Sequence, residues 1–332
     1  MSKTRPDNSL DDGDWLTAAA QLAARGRPLS APNPAVGAVI VRGGMVVGRG
    51  WTCAGGRPHA EAEALAQAGS EARGATLYVT LEPCAHVSER GASCTSLLLK
   101  AGLARIVIGA QDPDPRTAGS GIAALRAAGI EVTLLPGAAA EASLAGYLMR
   151  TRHSRPHVTV KLATSLDGRI ALADGTSRWI TGSEARAHGH LERARADAIL
   201  VGGESLRTDA PRLDVRLAGL EQRSPRRFVL TRRAAPAGWT AVPDITAPHA
   251  FDNAQYLLVE GGAGAAAAFL AADMADRLLF YRAPIVIGEG RPCVGDIGLG
   301  ELVHAHGRWR LADRRRLGSD TLDVYERVRQ EI

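Results

Sequence analysis

The sequence predicts an α/β protein built as two domains in tandem, and three observations carry that reading. At 332 residues the chain is too long for one ordinary core and suggests two. A glycine-turned hairpin followed by alternating helical and strand patterns fills the first half, which implies a sheet covered by helices on both faces, a three-layer α/β/α unit. The basic, polar stretch Arg150-Thr-Arg-His-Ser-Arg-Pro156 then ends in proline and is followed by a fresh α/β pattern. The expected divisions are a disordered N-terminus over 1–12, a first domain over 13–150, a linker over 151–156 and a second domain over 157–332.

Taken in order, residues 15–24 read as a first helix with Asp14 as its N-cap and Gly26 beyond its end. Two apolar strands, 36–41 and 45–47, flank Gly43-Gly44, a tight hairpin signal. An alanine-rich helix over 59–68 follows the turn residues Gly55, Gly56 and Pro58. A strand over 76–80 delivers Cys84 just past its end, and Cys94 opens another helix through Leu97, Leu98 and Leu99. A strand at 105–109, a helix at 121–128 and a strand at 131–135 complete the domain. In the second half the pattern gives strands at 157–162, 198–202, 228–231, 256–259, 277–281 and 322–325, with helices at 183–196 and 264–272. The stretch 234–254 is irregular and receives no element.

Within this frame, His59-Ala60-Glu61 and Pro83-Cys84, closed by Cys94, form the main chemical constellation. One imidazole and two thiolates suit a catalytic zinc with one position left open for water. A glutamate two residues after the histidine matches the H-x-E…P-C pattern of zinc-dependent nucleobase deaminases. Cys94 at a helix N-terminus is suited to bind as thiolate. Glu61 is the carboxylate that would take the proton from water and hand it to a leaving amine. Cys53 and Cys293 have no comparable neighbours and read as structural.

Composition narrows the rest. Apolar residues make up 45% of the chain, normal for a globular protein, and no run approaches membrane-spanning length. Residues 1–13 lack a signal-peptide pattern, and four cysteines, two of them assigned to metal, fit a reducing compartment, so a cytoplasmic location is expected. The net charge of +5 comes almost wholly from scattered arginine, since the only lysines are Lys3, Lys100 and Lys161. With aromatic residues at 4%, there is little to stack on bases, so nucleic acid is not expected as a partner and phosphorylated small molecules are.

Longer motifs then carry a resemblance. Asn33-Pro-Ala-Val-Gly37, His59-Ala-Glu61, Thr80-Leu-Glu-Pro-Cys84-Ala-His86 and Gln111-Asp-Pro-Asp-Pro115 resemble the deaminase half of the bifunctional deaminase/reductase family of riboflavin biosynthesis, RibD. Lys161-Leu-Ala-Thr-Ser165-Leu-Asp167-Gly, Ser177-Arg-Trp179-Ile-Thr181, Thr208-Asp209-Ala-Pro211-Arg-Leu213 and Val259-Glu260-Gly-Gly262 resemble its reductase half. The resemblance spans nearly the whole chain in the same order. It implies a cytidine-deaminase-like domain followed by a dihydrofolate-reductase-like domain, with zinc and NADPH as cofactors. The implied reactions are deamination of a diaminopyrimidine ribosyl phosphate and NADPH-dependent reduction of its ribosyl group to ribityl. A homo-oligomer is expected as well.

Residue by residue, the resemblance implies that Asn33 and His86 contact the pyrimidine. On the reductase side it implies Ser177, Arg193, Arg216 and Glu260 at the substrate, the two arginines clamping the sugar phosphate. It implies Ala163, Trp179, Ser205, Asp209 and the turn Gly261-Gly262-Ala263-Gly264 at the cofactor, whose diphosphate suits free amides at a helix N-terminus. Arg232-Arg233, at the end of a strand, would add a basic residue for the 2′-phosphate, with Arg232 assigned to that role. Gly262-x-Gly264-x-x-Ala267 also loosely fits a Rossmann fingerprint, but no acidic residue ends the next strand to hold a ribose.

Two departures from the family stand out. Its usual loop between the zinc cysteines is compact and proline-rich, whereas here it is Val87-Ser-Glu-Arg-Gly-Ala-Ser93, with Arg90 as the basic residue for substrate. The usual Gly-x-x-Thr near the cofactor is Gly202-Gly-Glu-Ser205, which keeps a hydroxyl. The rival readings are a diverged deaminase/reductase acting on another aminopyrimidine, or a non-catalytic ligand-binding homologue. An intact Glu61 argues against the second.

Overall fold

The computed structural model describes residues 10–86 and 91–329, and the chain divides into two compact units between His153 and Ser154. In the first unit the elements run α1 (Asp12–Ala23), β1 (Gly37–Arg42), β2 (Met45–Trp51), α2 (Ala60–Ala68), β3 (Thr76–Val79), α3 (Cys94–Ala101), β4 (Arg105–Ile108), α4 (Ser120–Ala127), β5 (Glu131–Leu134) and α5 (Ala138–His153). Helix α1 begins earlier than its apolar pattern suggests. Asp11 rather than Asp14 is the N-cap, and Asp14 instead returns the bond from position N3 in a reciprocal capping box. Residues 10–12 are therefore ordered, against the expected disordered tail to 12, while 1–9 lie outside the described residues. Arg105 on β4 grips Asp12 with two hydrogen bonds of 2.9 and 2.7 Å, and Tyr78 donates to the same carboxylate.

The sheet order is β2-β1-β3-β4-β5, antiparallel across β2-β1-β3 and parallel across β3-β4-β5. Alternation along the strands sends Val39, Val41, Tyr78 and Val107 to α1 and sends Ala38, Ile40, Leu77, Val79 and Ile106 into the larger core beside α2, α3 and α4. Three glycines let helices lie directly on strand backbone. A Cβ at Gly37 would sit 1.9 Å from the Ala19 carbonyl oxygen, and one at Gly48 or Gly50 would sit 2.2 or 2.3 Å from the Ala64 or Ala60 oxygen. Through the latter pair α2, and with it His59 and Glu61, is seated against β2.

Helix α5 had no counterpart in the sequence pattern, and it runs through part of the expected 151–156 linker, which shrinks to the few residues after His153.

The second unit contains β6 (His157–Thr164), β7 (Arg169–Leu172), α6 (Ser183–Ala194), β8 (Ala198–Gly202), α7 (Gly203–Asp209), β9 (Arg226–Leu230), β10 (Thr240–Val242), β11 (Tyr256–Val259), α8 (Ala263–Ala271), β12 (Arg277–Arg282), β13 (Gly290–Pro292), β14 (Trp309–Leu317) and β15 (Asp320–Arg327). Its eight-stranded sheet has the order β10-β9-β8-β11-β6-β12-β15-β14, parallel from β10 to β12 and antiparallel at β15 and β14. The central strands are short apolar runs buried on both faces, as a helix-covered parallel sheet requires. Strands β7, β10, β13 and β14 and helix α7 were not foreseen. Edge strand β14, with Arg314, Arg315 and Arg316 in its run and most of its side chains in solvent, gives no apolar alternation to read. The stretch 234–254 left unassigned contributes β10 together with Ile245 and Phe251 to the core.

Candidate functional site

In the first unit, His59 is the N-cap residue of α2, Cys84 lies in the turn after β3, and Cys94 is the first residue of α3, capped by Ser93. The three donor atoms lie within 4.8 Å of one another. His59 Nδ1 is 3.2 Å from Cys94 Sγ and 3.6 Å from Cys84 Sγ, while the Cys94 amide donates to Cys84 Sγ at 3.3 Å. Tetrahedral zinc sets its nitrogen and sulfur ligands roughly 3.6 to 3.8 Å apart, so the trio fits zinc with small adjustments. The hydrogen bond from Cys94, reinforced by His59, draws the Cys84 thiol down to about 4, and the same shared bond pushes Cys94 up. His59 is raised, first by its hydrogen bond to Cys84. One sulfur is thus a ready thiolate, and the second proton is the one a metal ion displaces.

Glu61, in the first turn of α2, is 3% exposed, and burial raises its carboxyl above the usual range. Asn33 does not stand away from the metal ligands: its amide nitrogen donates to the Gly56 carbonyl at 3.0 Å and lies 3.3 Å from His59 Nε2, orienting the ring so that Nδ1 faces the sulfurs. His86 Nδ1 is 3.4 Å from the Thr117 hydroxyl. Arg90 falls outside the described residues.

In the sequence Glu82 is one letter of the Thr80–His86 motif, with no role of its own. The structure gives it a job: the buried carboxylate accepts the backbone amides of Asp112, Gly119 and Ile122, tying the loop after β4 and the start of α4 to the turn that carries Cys84. Thr95 bridges in the same way, its hydroxyl donating to the Cys84 carbonyl at 3.0 Å.

In the second unit, a cavity of about 600 Å³ is lined by Ala163, Ser177, Arg193, Ser205, Asp209, Glu260, Gly261, Gly262 and Gly264, all of them expected at substrate or cofactor. Gly262 is the N-cap of α8, and Gly261, Gly262 and Gly264 line the cavity, so the N-terminal turn of the helix borders it with backbone rather than side chains. That cradle fits a dinucleotide diphosphate. Three expected residues do not line the cavity. Trp179 is 66% exposed with Arg186 over its ring at 4.8 Å, Arg232 is exposed, and Arg216 is exposed and faces Asp214 at 3.6 Å.

Arg193 differs from expectation in another way. It does not offer a free clamp, because its guanidinium closes on Glu260 with bonds of 2.6 and 2.9 Å and donates to the Asp214 carbonyl at 3.0 Å. Lys161, part of a motif but given no role, reaches the same carboxylate at 3.5 Å from the neighbouring strand. Burial alone would raise Glu260, but the Lys161 charge and the Arg193 hydrogen bonds outweigh it and hold the carboxyl at about 2.

The fold and sites together define a two-domain enzyme that joins a zinc-dependent deaminase to a dinucleotide-dependent reductase. The profile of the cytidine and deoxycytidylate deaminase zinc-binding region matches residues 10–110, and that of the RibD C-terminal domain matches 156–245 and 250–322. The riboflavin biosynthesis protein RibD of Haemophilus influenzae is 34% identical, over 96% of this chain and 98% of that protein. That of Corynebacterium ammoniagenes is 40% identical over 80% and 83%. Among solved structures, Acinetobacter baumannii RibD superposes with a TM-score of 0.82 at 32% identity, covering 96% of this chain and 99% of that one. A diaminohydroxyphosphoribosylaminopyrimidine deaminase/5-amino-6-(5-phosphoribosylamino)uracil reductase from Thermotoga maritima does so with a TM-score of 0.81 at 28% identity and the same coverage. The chain belongs to the RibD family of riboflavin-biosynthesis proteins. It is a bifunctional deaminase and reductase whose cofactors are zinc and NADPH. Among the described residues, no helix is long and apolar enough to cross a membrane.

Proposed function

We propose that the first unit hydrolyses the 2-amino group of 2,5-diamino-6-ribosylamino-4(3H)-pyrimidinone 5′-phosphate to the uracil and ammonia. The second unit then reduces the ribosyl group of that product to ribityl. The observation that carries the reading is a buried carboxylate, Glu61, one residue into the helix that His59 caps. A purely structural zinc site has no use for it.

When bound to His59, Cys84 and Cys94, zinc supplies Lewis-acid activation of water. Glu61 accepts the proton of the attacking water and returns it to the 2-amino nitrogen, so that a C–O bond forms as the C–N bond breaks and ammonia leaves. Its raised carboxyl suits both directions of transfer. Asn33 fixes the imidazole of His59 and so the geometry at which substrate is received, while His86 and Arg90 bind the pyrimidine and its substituents.

In the second unit, Gly261, Gly262 and Gly264 would hold NADPH, which would supply a hydride for reduction of the ribosyl group. Lys161, charged beside Glu260 in the cavity wall, delivers a proton to the sugar oxygen as the ring opens, and Ser177 and Glu260 orient the sugar. Arg193 sets Glu260, and Arg216 meets the sugar phosphate from the surface. Two thiolates at the metal centre suit a reducing compartment, which supports a cytoplasmic location.

The test is to incubate purified protein with the diaminopyrimidine phosphate, with and without NADPH, and identify products by mass. Glu61→Gln should keep zinc and still reduce preformed uracil substrate, yet release ammonia about a thousandfold more slowly. Ammonia release near the parent rate would remove Glu61 from the mechanism.

A further inference from the structure

Lys161 stands in the wall of the reductase cavity on a flexible aliphatic stem, and the ion pair that restrains its ammonium is loose. Its Nζ meets Glu260 at 3.5 Å, whereas Arg193 closes on the same carboxylate at 2.6 and 2.9 Å. Arg193 therefore takes the better share of the carboxylate, and a lysine held by this pair alone would swing within the cavity. A second contact restrains it. The ring of Tyr281 lies beneath the ammonium, its centre 5.8 Å from Nζ.

Register places the ring there. Strand β12 runs beside β6 with Leu279 level with Lys161 and Tyr281 level with Ala163, so Lys161 and Tyr281 project from the same face on diagonal positions of neighbouring strands. Helix α6 covers that face, its Ala185 packing in one cluster with Tyr281, Leu279, Leu322 and Val324. Tyr281 does not line the cavity, so it reaches the reaction only through Lys161. Its buried hydroxyl is anchored by His188 of α6, whose Nδ1 lies 2.7 Å away. That anchor is costly: burial pulls the imidazole below its usual range, and Nε2 is buried with no hydrogen-bond partner among the described residues. A phenylalanine against an apolar residue would fill the cluster without this cost, so stability alone does not account for the pair.

Resting on the reading of Lys161 as proton donor to the opening sugar ring, we propose that Tyr281 is a positioning residue for the reduction. Its ring face keeps the Lys161 ammonium aimed into the cavity, and His188 locks the ring in that orientation. The face of an aromatic ring attracts a cation, most strongly where water is excluded, as it is around this buried ring. Helix α6 braces both restraints on the lysine, Tyr281 through His188 and Glu260 through Arg193. The ring is the working part and the phenol proton is not, since the hydroxyl is engaged by His188 on the side of α6.

The chain holds only three lysines, Lys3, Lys100 and Lys161, which makes the contact directly visible by NMR. In zinc-loaded full chain labelled with carbon-13 at the lysine ε carbon, the Lys161 methylene signal, assigned by its loss in Lys161→Arg, should lie upfield of the other two because of the Tyr281 ring current. Tyr281→Leu should return it to them, and Tyr281→Phe should keep it shifted. With preformed uracil substrate, Tyr281→Leu should lower kcat for reduction about tenfold with KM for NADPH unmoved, and Tyr281→Phe should recover most of the loss. A merely structural tyrosine would instead give a lower melting temperature with kcat per folded molecule unchanged. Should Tyr281→Leu not fold, His188→Leu, which frees the ring without removing it, should reduce both the Lys161 shift and kcat. An unshifted Lys161 signal in the parent, or parent-like kcat in folded Tyr281→Leu or His188→Leu, would overturn the proposal. Lys161→Met separates the two readings: if it reduces as the parent does, the role of Lys161 falls and that of Tyr281 with it, whereas an inactive Lys161→Met beside a parent-like Tyr281→Leu removes Tyr281 alone.

Discussion

Glu260→Gln puts the reductase site under the most direct stress, because the carboxylate is buried between two cations. Glu260 is 8% exposed, Arg193 14% and Lys161 24%, and the amide removes the negative charge that, among the described residues, pairs with both. A carboxyl held at about 2 against an ordinary 4.5 contributes about 3 kcal/mol to folding at neutral pH. Breaking a buried pair from one side costs about 3 to 5 kcal/mol by analogy with other proteins, so the two routes agree. The sign with pH follows from the downward shift. The contribution is complete above about 4.5 and is lost as pH falls toward about 2, where folded and unfolded carboxyls are both protonated. Hydrogen exchange of peptides from β6 and β11 reports opening of this region alone, which matters in a chain with two units. The variant should exchange there with an opening energy lower by about 3 kcal/mol at pH 7, and the gap to the parent should narrow as pH drops below 4.5. Protection equal to the parent's at pH 7, or a gap that persists unchanged at low pH, would refute the argument that Glu260 is held ionised by its partners.

Two further outcomes follow from the deaminase unit. Purified protein should hold one zinc per chain; Cys84→Ser or Cys94→Ser should lose it in metal analysis, while Cys53→Ser and Cys293→Ser keep it, since neither thiol belongs to the cluster. Gly37→Ala forces a methyl group to within 1.9 Å of the Ala19 oxygen, so α1 must lift from β1. The cost should be about 3 kcal/mol, seen as a fall of about 10 °C in the melting of the deaminase unit, and an unchanged melting temperature would show that α1 is not packed this closely.

The sequence by itself determined whatever is written in neighbouring residues. Gly43-Gly44 between apolar runs forms the β1–β2 turn, the short runs at β3, β8 and β11 are strands, and His59, Glu61, Cys84 and Cys94 fall at element boundaries where short motifs and turn chemistry are readable. Helix α5 was missed, and so was edge strand β14, because a strand with one partner and solvent on most of its side chains carries no alternating signal. Tertiary structure alone decided which charges meet. Lys161 and Glu260 are 99 residues apart, and they touch because the sheet sets β6 beside β11 with Val160 level with Val259. Arg193, on α6, closes on the same carboxylate and so is not a free phosphate ligand. The packing of α7 beside β9 likewise brings Arg207, Arg227 and Arg233 to one cavity that Arg232 does not line. A side chain's charge is fixed by its residue type, but its role depends on which opposite charge reaches it first, and that is a property of chain crossings that no local pattern encodes.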